Sequence, residues 1–188
     1  MDREETDEAL MLRYRDGDAA AFEALYRRHR GPLYRYFLRQ GRDRAAAEEM
    51  YQDVWTGVIR SRARYRPTAK FTTWLYRMAH NRLMDEFRRR HGREPLSFDD
   101  PGAALADPPA PAGADPQREA EHREQAGRLL AALAALPEAQ REAFLLHEEA
   151  GLSLEEIAAA TGVGFETAKS RLRYAVARLR QALGGQVD

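Results

Sequence analysis

Two stretches of this 188-residue chain combine residue types that could bind nucleic acid. The first is SLEEIAAATGVGFETAKSRLRYAVARLRQAL, residues 153–183. Two helices that cross closely need a small residue at the contact, an apolar neighbour and a tight turn. Ala158, Ile157 and Gly162 have those properties, glycine because it takes left-handed backbone without strain. Val163 is expected to pack after the turn, and Ala168 and Leu172 to anchor the second helix. Ala168, Leu172, Ala175, Val176, Leu179 and Leu183 recur at three- and four-residue steps, the pattern of a buried stripe. Glu166, Thr167, Lys169, Ser170, Arg171 and Arg173 are the polar residues at the start of that helix. In a helix-turn-helix this end enters the major groove. Arginine reads guanine with two bonds there, whereas Lys and Ser more often position the phosphate backbone. Glu166 would either accept from a cytosine amino group or repel phosphate. A solvated basic face on an ordinary helical hairpin is the blander reading of the same residues.

The second stretch is KFTTWLYRMAHNRLMDEFRRR, Lys70–Arg90. Aromatic rings stack on unpaired bases while guanidiniums hold phosphates, so this mixture suits single-stranded nucleic acid. Phe71, Trp74 and Leu75 fit a hydrophobic core equally well. Bond-making chemistry finds no support. Cysteine is absent, which removes thiolate ligands and nucleophiles. The histidines, at 29, 80, 91, 122 and 147, are scattered, and His147-Glu148-Glu149 lacks the second histidine of a zincin motif. There is no glycine loop to cradle phosphate. No enzyme, cofactor or metal is expected.

Both stretches must be held by helices. Val, Ile and Thr are sparse, and no alternating run with hairpin chemistry appears. Helices are expected near residues 5–15, 18–39, 43–60 and 69–91, then 116–136, 137–151, 153–161 and 165–183. Ser153 and Glu156 have the spacing of a capping box, and Asp115-Pro116 that of an N-cap followed by proline. Six of the nine prolines fall between Pro95 and Pro116, in an acidic stretch with few large apolar residues. Such a segment reads as a linker. Net charge is zero, yet it is segregated: residues 1–93 carry 21 Lys+Arg against 14 Asp+Glu, and residues 94–127 carry 2 against 8. Residues 128–163 are acidic again and residues 164–188 basic, a pattern that creates local potentials despite neutrality. The N-terminus MDREETDEAL lacks the apolar core of a secretory signal, and no apolar run approaches the roughly 20 residues of a membrane span. A soluble, cytoplasmic protein is expected.

AEEMYQDVW (Ala47–Trp55), followed by FTTWLYRMAHNRLMDEFRR, resembles region 2 of extracytoplasmic-function (ECF) sigma factors. LPEAQREAFLLHEEAGLSLEEIAAATGVGFETAKSRLRYAVARLRQAL resembles their region 4. The resemblance implies an all-α protein of two small helical domains, residues 1–93 and 118–188, joined by the acidic linker 94–117. It implies a factor that binds core RNA polymerase and directs transcription from promoters with −10 and −35 elements. Glu49, Gln52, Asp53 and Trp55 would lie at the polymerase contact. Tyr65, Lys70, Phe71, Trp74, Asn81, Arg82, Arg88 and Arg89 would hold the opened −10 DNA. The second lobe would read the −35 duplex through Glu166, Thr167, Lys169, Ser170, Arg171 and Arg173. The linker would thread the polymerase channels, and an anti-sigma factor is the regulatory partner the family implies. Glu49 stands where the family commonly has Asp, and Glu166-Thr167-Ala168-Lys169-Ser170-Arg171 departs from the common Gly-Thr-Val-Lys-Ser-Arg. A full region 3 or a large N-terminal domain has no room. A stand-alone helix-turn-helix regulator accounts for the second lobe but leaves the first unexplained. A sigma-like decoy for a partner would need neither basic surface.

Overall fold

The computed structural model describes residues 5–41, 43–91 and 116–184. The described residues form an all-α fold. The first lobe contains α1 (Asp7–Arg15), α2 (Ala19–Leu38), α3 (Arg44–Ser61) and α4 (Phe71–His91), with a single 3-10 turn at Arg62–Arg64. The second contains α5 (Pro116–Ala134), α6 (Glu138–Glu148), α7 (Leu154–Thr161) and α8 (Phe165–Gly184). Of the expected acidic linker, 94–117, residues 94–115 lie outside the described residues.

Local chemistry sets the helix starts. Thr6, Asp18 and Asp43 each accept backbone N–H groups of the first turn of α1, α2 and α3, satisfying donors that a helix leaves without a partner. α4 is capped from a distance: the Phe71 N–H donates to Glu8 Oε1 on α1 at 2.6 Å. That carboxylate fixes the loop before α4 against α1, a contact 63 residues apart in sequence.

Met11, Leu25, Leu33, Tyr36, Phe37, Met50, Val54, Val58, Phe71, Leu75, Tyr76, Leu83 and Phe87 fill the first lobe and are almost wholly buried. The same apolar cluster continues into Leu145, Leu146, Leu152 and Ile157 of the second lobe. The two lobes are therefore docked. Polar groups frame the seam. Arg141 is fully buried, donating to the Gln40 carbonyl at 2.9 Å and the Leu136 carbonyl at 3.1 Å. Glu142 Oε1 accepts from the Tyr36 hydroxyl at 2.8 Å and lies 2.7 Å from His80 Nδ1. Glu149 pairs with Arg35 at 2.8 Å and also with Arg39. Each guanidinium or carboxyl here loses water on docking, so the partners it finds must offset that loss.

Candidate nucleic-acid interface

In the second lobe Ser153 and Glu156 form a complete capping box: the Ser153 hydroxyl accepts from the Glu156 N–H, and Glu156 Oε2 accepts from the Ser153 N–H at 2.8 Å. α7 ends at Gly162, whose φ of +70° is left-handed. The Val163 N–H then returns to the Ala158 carbonyl, and Ile157 and Ala168 are buried behind the turn. This geometry leaves one end of α8 uncovered. Glu166, Thr167, Lys169 and Arg173 are exposed, and Ser170 and Arg171 are half-buried at the edge of the same surface. Lys169 Nζ sits 3.6 Å from Glu166 Oε2, both well exposed, a pairing that water weakens. Arg173 rests over the Tyr174 ring at 5.0 Å. Tyr174 and Phe165 are exposed aromatics beside this face that helical spacing did not single out. Of the expected buried stripe, Ala168, Ala175 and Leu179 are buried. Leu183 is not: it is 45% exposed and, with Leu129, Phe144, Val176 and Leu179, lines an open apolar groove at the last turn of α8.

The first lobe sorts its candidates by depth. Tyr65 is 3% and Phe71 0% exposed, so neither offers a ring to a base in this conformation. Their rings instead stand 5.0 Å and 5.7 Å from that of Trp74, wedging the half-buried indole into one orientation. Burial holds Tyr65 back from ionising, raising its pKa to about 12. Lys70, Trp74, Arg77 and Asn81 recur at steps of four, three and four, one face of α4. Lys70, Arg77 and Asn81 on it are exposed. Arg77, not among the residues expected from the sequence, belongs to this row by the same periodicity. Exposed Arg62, Arg64 and Arg66 extend the basic surface along the preceding loop. Lys70 Nζ meets Glu156 Oε1 of α7 at 2.7 Å. Burial pushes the Glu156 carboxyl up, but the Lys70 ammonium and the Ser153 N–H outweigh it and hold it below the usual range.

The terminal arginines divide. Arg88 points with Asp85, 2.6 Å away, and both are exposed. Arg82, Arg89 and Arg90 converge on buried Glu86, at 3.8, 2.7 and 2.8 Å. Arg82 reaches on to Asp53 and Glu49 of α3. Glu49, Gln52 and Asp53 lie on the exposed outer face of α3, with Thr56 and 45%-exposed Ile59 continuing it. Trp55 does not belong to that surface. It is 5% exposed, its ring packed against Tyr26 at 5.0 Å and Phe22 at 5.9 Å. Trp55 follows Asp53 by two residues, a turn of about 200° around the helix, and that step carries it into the core. Among the described residues no group of His, Asp and Glu could hold a metal ion, and no helix is long and apolar enough to cross a membrane.

Residues 25–93 match the family model Sigma-70 region 2, and residues 126–179 match Sigma-70, region 4. The chain is 36% identical over 174 residues to RNA polymerase sigma factor CarQ of Myxococcus xanthus, covering 93% of this chain and 95% of that one. It is 35% identical over 176 residues to ECF RNA polymerase sigma factor RpoE of Cereibacter sphaeroides, covering 92% of each. In structure it is similar to the sigma factor RpoE solved in complex with the anti-sigma factor NepR from Bartonella quintana. That match has a TM-score of 0.69 at 23% identity and covers 88% of this chain and 98% of that one. CnrH, solved with the cytosolic domain of CnrY, matches with a TM-score of 0.68 at 20% identity, over 97% and 100% of the two chains.

Proposed function

The chain belongs to the ECF group of the sigma-70 family, and from that premise we propose how its two lobes divide the work of transcription initiation. It acts as an RNA polymerase sigma factor: it binds core polymerase and directs promoter-specific initiation, while the polymerase makes the bonds. The second lobe, residues 118–188, reads the −35 duplex with Glu166, Thr167, Lys169, Ser170, Arg171 and Arg173. The first, residues 1–93, captures the opened −10 strand along Lys70, Trp74, Arg77 and Asn81, with Arg82, Arg88 and Arg89 near the adjacent backbone. Tyr65 and Phe71 support Trp74 from below. Glu49, Gln52 and Asp53 form the polymerase-facing surface of α3. The linker 94–117 joins the lobes, an anti-sigma factor is the regulatory partner, and the cytoplasm is the site of action.

One observation carries this reading: the chain has two separate basic faces of different chemistry. The start of α8 suits a groove, and an indole between cations on α4 suits unpaired bases. A stand-alone regulator would use only the first. Both faces cannot serve one promoter while the lobes are docked. Elements centred about 25 base pairs apart lie roughly 85 Å apart along B-DNA, whereas a compact chain of this length is roughly 40 Å across. The seam must open on the promoter, and the charged groups along it hydrate readily when it does. Run-off transcription with core polymerase on a promoter library tests the reading. Initiation restricted to templates sharing two spaced elements is expected; initiation independent of added chain would sink it.

A further inference from the structure

Arg82 is held by carboxylates of another helix. Its Nε donates to Asp53 Oδ2 at 2.6 Å and its Nη2 to Glu49 Oε1 at 3.3 Å, while Glu86 Oε2 lies 3.8 Å from Nη1. The Arg82 side chain is only 20% exposed, whereas those of Glu49 and Asp53 are 53% and 50% exposed. A planar guanidinium fork binds carboxylate and phosphate oxygens with the same geometry. Two acceptor oxygens four residues apart on α3 therefore occupy the donors that a DNA phosphate would take. The arrangement is lopsided: the arginine is shielded, and the acids face outward where a partner's cations can reach them. Arg89 differs, because its acid, Glu86, is 1% exposed and out of a partner's reach; Arg90 shares Glu86 at 2.8 Å and also reaches exposed Asp43, just before α3, at 3.3 Å.

We propose that Glu49 and Asp53 act as an internal stand-in for DNA phosphate at Arg82, and that a basic surface seated on α3 draws them away and releases the guanidinium to DNA. Polymerase docking and DNA capture are thereby coupled through one side chain, and the free chain is kept from binding DNA indiscriminately. This rests on the proposed roles of the α3 face and of Arg82.

The test is fluorescence anisotropy of the full-length chain with a labelled 20-nucleotide single strand of mixed sequence, titrated at several salt concentrations. Glu49→Gln with Asp53→Asn is expected to add one phosphate contact. The salt slope then steepens by about 0.7, and affinity at 0.1 M salt rises about fivefold. Asp16→Asn with Glu23→Gln changes net charge equally and gives a smaller gain. Adding Arg82→Ala to the Glu49/Asp53 variant removes the gain. A gain no larger than that of the control pair, or one that survives Arg82→Ala, overturns the proposal. Arg82→Ala is also assayed for promoter opening with polymerase. Reduced opening alongside no gain in the free chain defeats the stand-in alone; unchanged opening defeats the role of Arg82 as well. If the double variant melts early, Asp53→Asn alone, which leaves Glu49 and Glu86 on Arg82, goes through the same titration.

Discussion

Replacing Glu142 by leucine probes the seam between the lobes. The side chain sits on α6 in a residue 4% exposed, and its Oε1 serves the Tyr36 hydroxyl at 2.8 Å and His80 Nδ1 at 2.7 Å, both on the first lobe. Glu142→Leu keeps the approximate volume and removes the acceptor. The buried Tyr36 hydroxyl and the part-buried His80 ring nitrogen then face a methyl surface, at about 1–3 kcal/mol each. The added apolar contact offsets part of this, leaving about 3 kcal/mol against the docked state. In the separated state both groups meet water, so the loss falls on docking rather than on either lobe. At 1.4 kcal/mol per tenfold, the docking equilibrium moves on the order of a hundredfold. The chain has no cysteine, so Ala45→Cys and Ala177→Cys, at exposed helix positions, accept paired labels without side reactions. Distances between the labels, measured by single-molecule energy transfer, should gain a long component in the Glu142→Leu chain. Tyr36→Phe, which removes one bond, should shift the same way by about a tenth as much. A folded Glu142→Leu chain with the unaltered short-distance distribution would refute the idea that this network holds the lobes together.

Six other substitutions separate the roles assigned above. Trp74→Ala should reduce promoter opening far more than duplex binding, because stacking acts only on unpaired bases; Phe71→Ala should instead lower the melting temperature, at about 3–5 kcal/mol for a buried ring. Arg173→Ala is expected to cost roughly 1–3 kcal/mol and relax −35 sequence choice if it reads a base, while Lys169→Ala should flatten the salt slope by about 1; binding to −35 duplex unchanged in both would count against this face. Gly162→Ala meets no atom within 4 Å, so its cost is the left-handed backbone alone, about 1–2 kcal/mol, visible as a lower melting temperature without loss of fold. Burial pushes the Asp7 carboxyl up, but hydrogen bonds from His29 and Arg28 and their charges outweigh it and hold its pKa below the ordinary value. A depressed folded-state pKa stabilises the chain above the unfolded value, about 3.9, and that stabilisation fades as pH falls through the folded one. Asp7→Asn should therefore melt earlier than wild type at neutral pH, with the gap closing in acid; a gap that persists unchanged at pH 2 would contradict this.

The local features of the fold were legible because they depend on near neighbours. The capping box at Ser153, the turn at Gly162 and the start of α8 each rest on residues within a few positions of one another, where short-range hydrogen bonding decides. Depth was less legible. Phe71 and Trp74 are three apart on one helix with similar chemistry, yet one is buried and the other half-exposed. Trp55 looked like a surface residue beside Asp53 until neighbouring rings covered it. An amphipathic pattern says which face turns inward; it does not say how far a neighbouring helix extends over that face.

By itself, the amino-acid order determined the helical class, the two basic stretches and the chemistry each could perform. Helix caps, periodicity and charge are properties of segments a few turns long, so they survive without knowledge of the rest. Tertiary structure alone decided which candidates are supports and which are surface. It also decided that Arg82 reaches Asp53 and Glu49 of α3 while sharing Glu86 with Arg89 and Arg90, and that Glu142 joins Tyr36 and His80 across the chain. The physical reason is the same in each case. A side chain's partner is fixed by which helices pack together, and the partners on other helices here lie 29 to 106 residues apart, beyond the reach of any local rule.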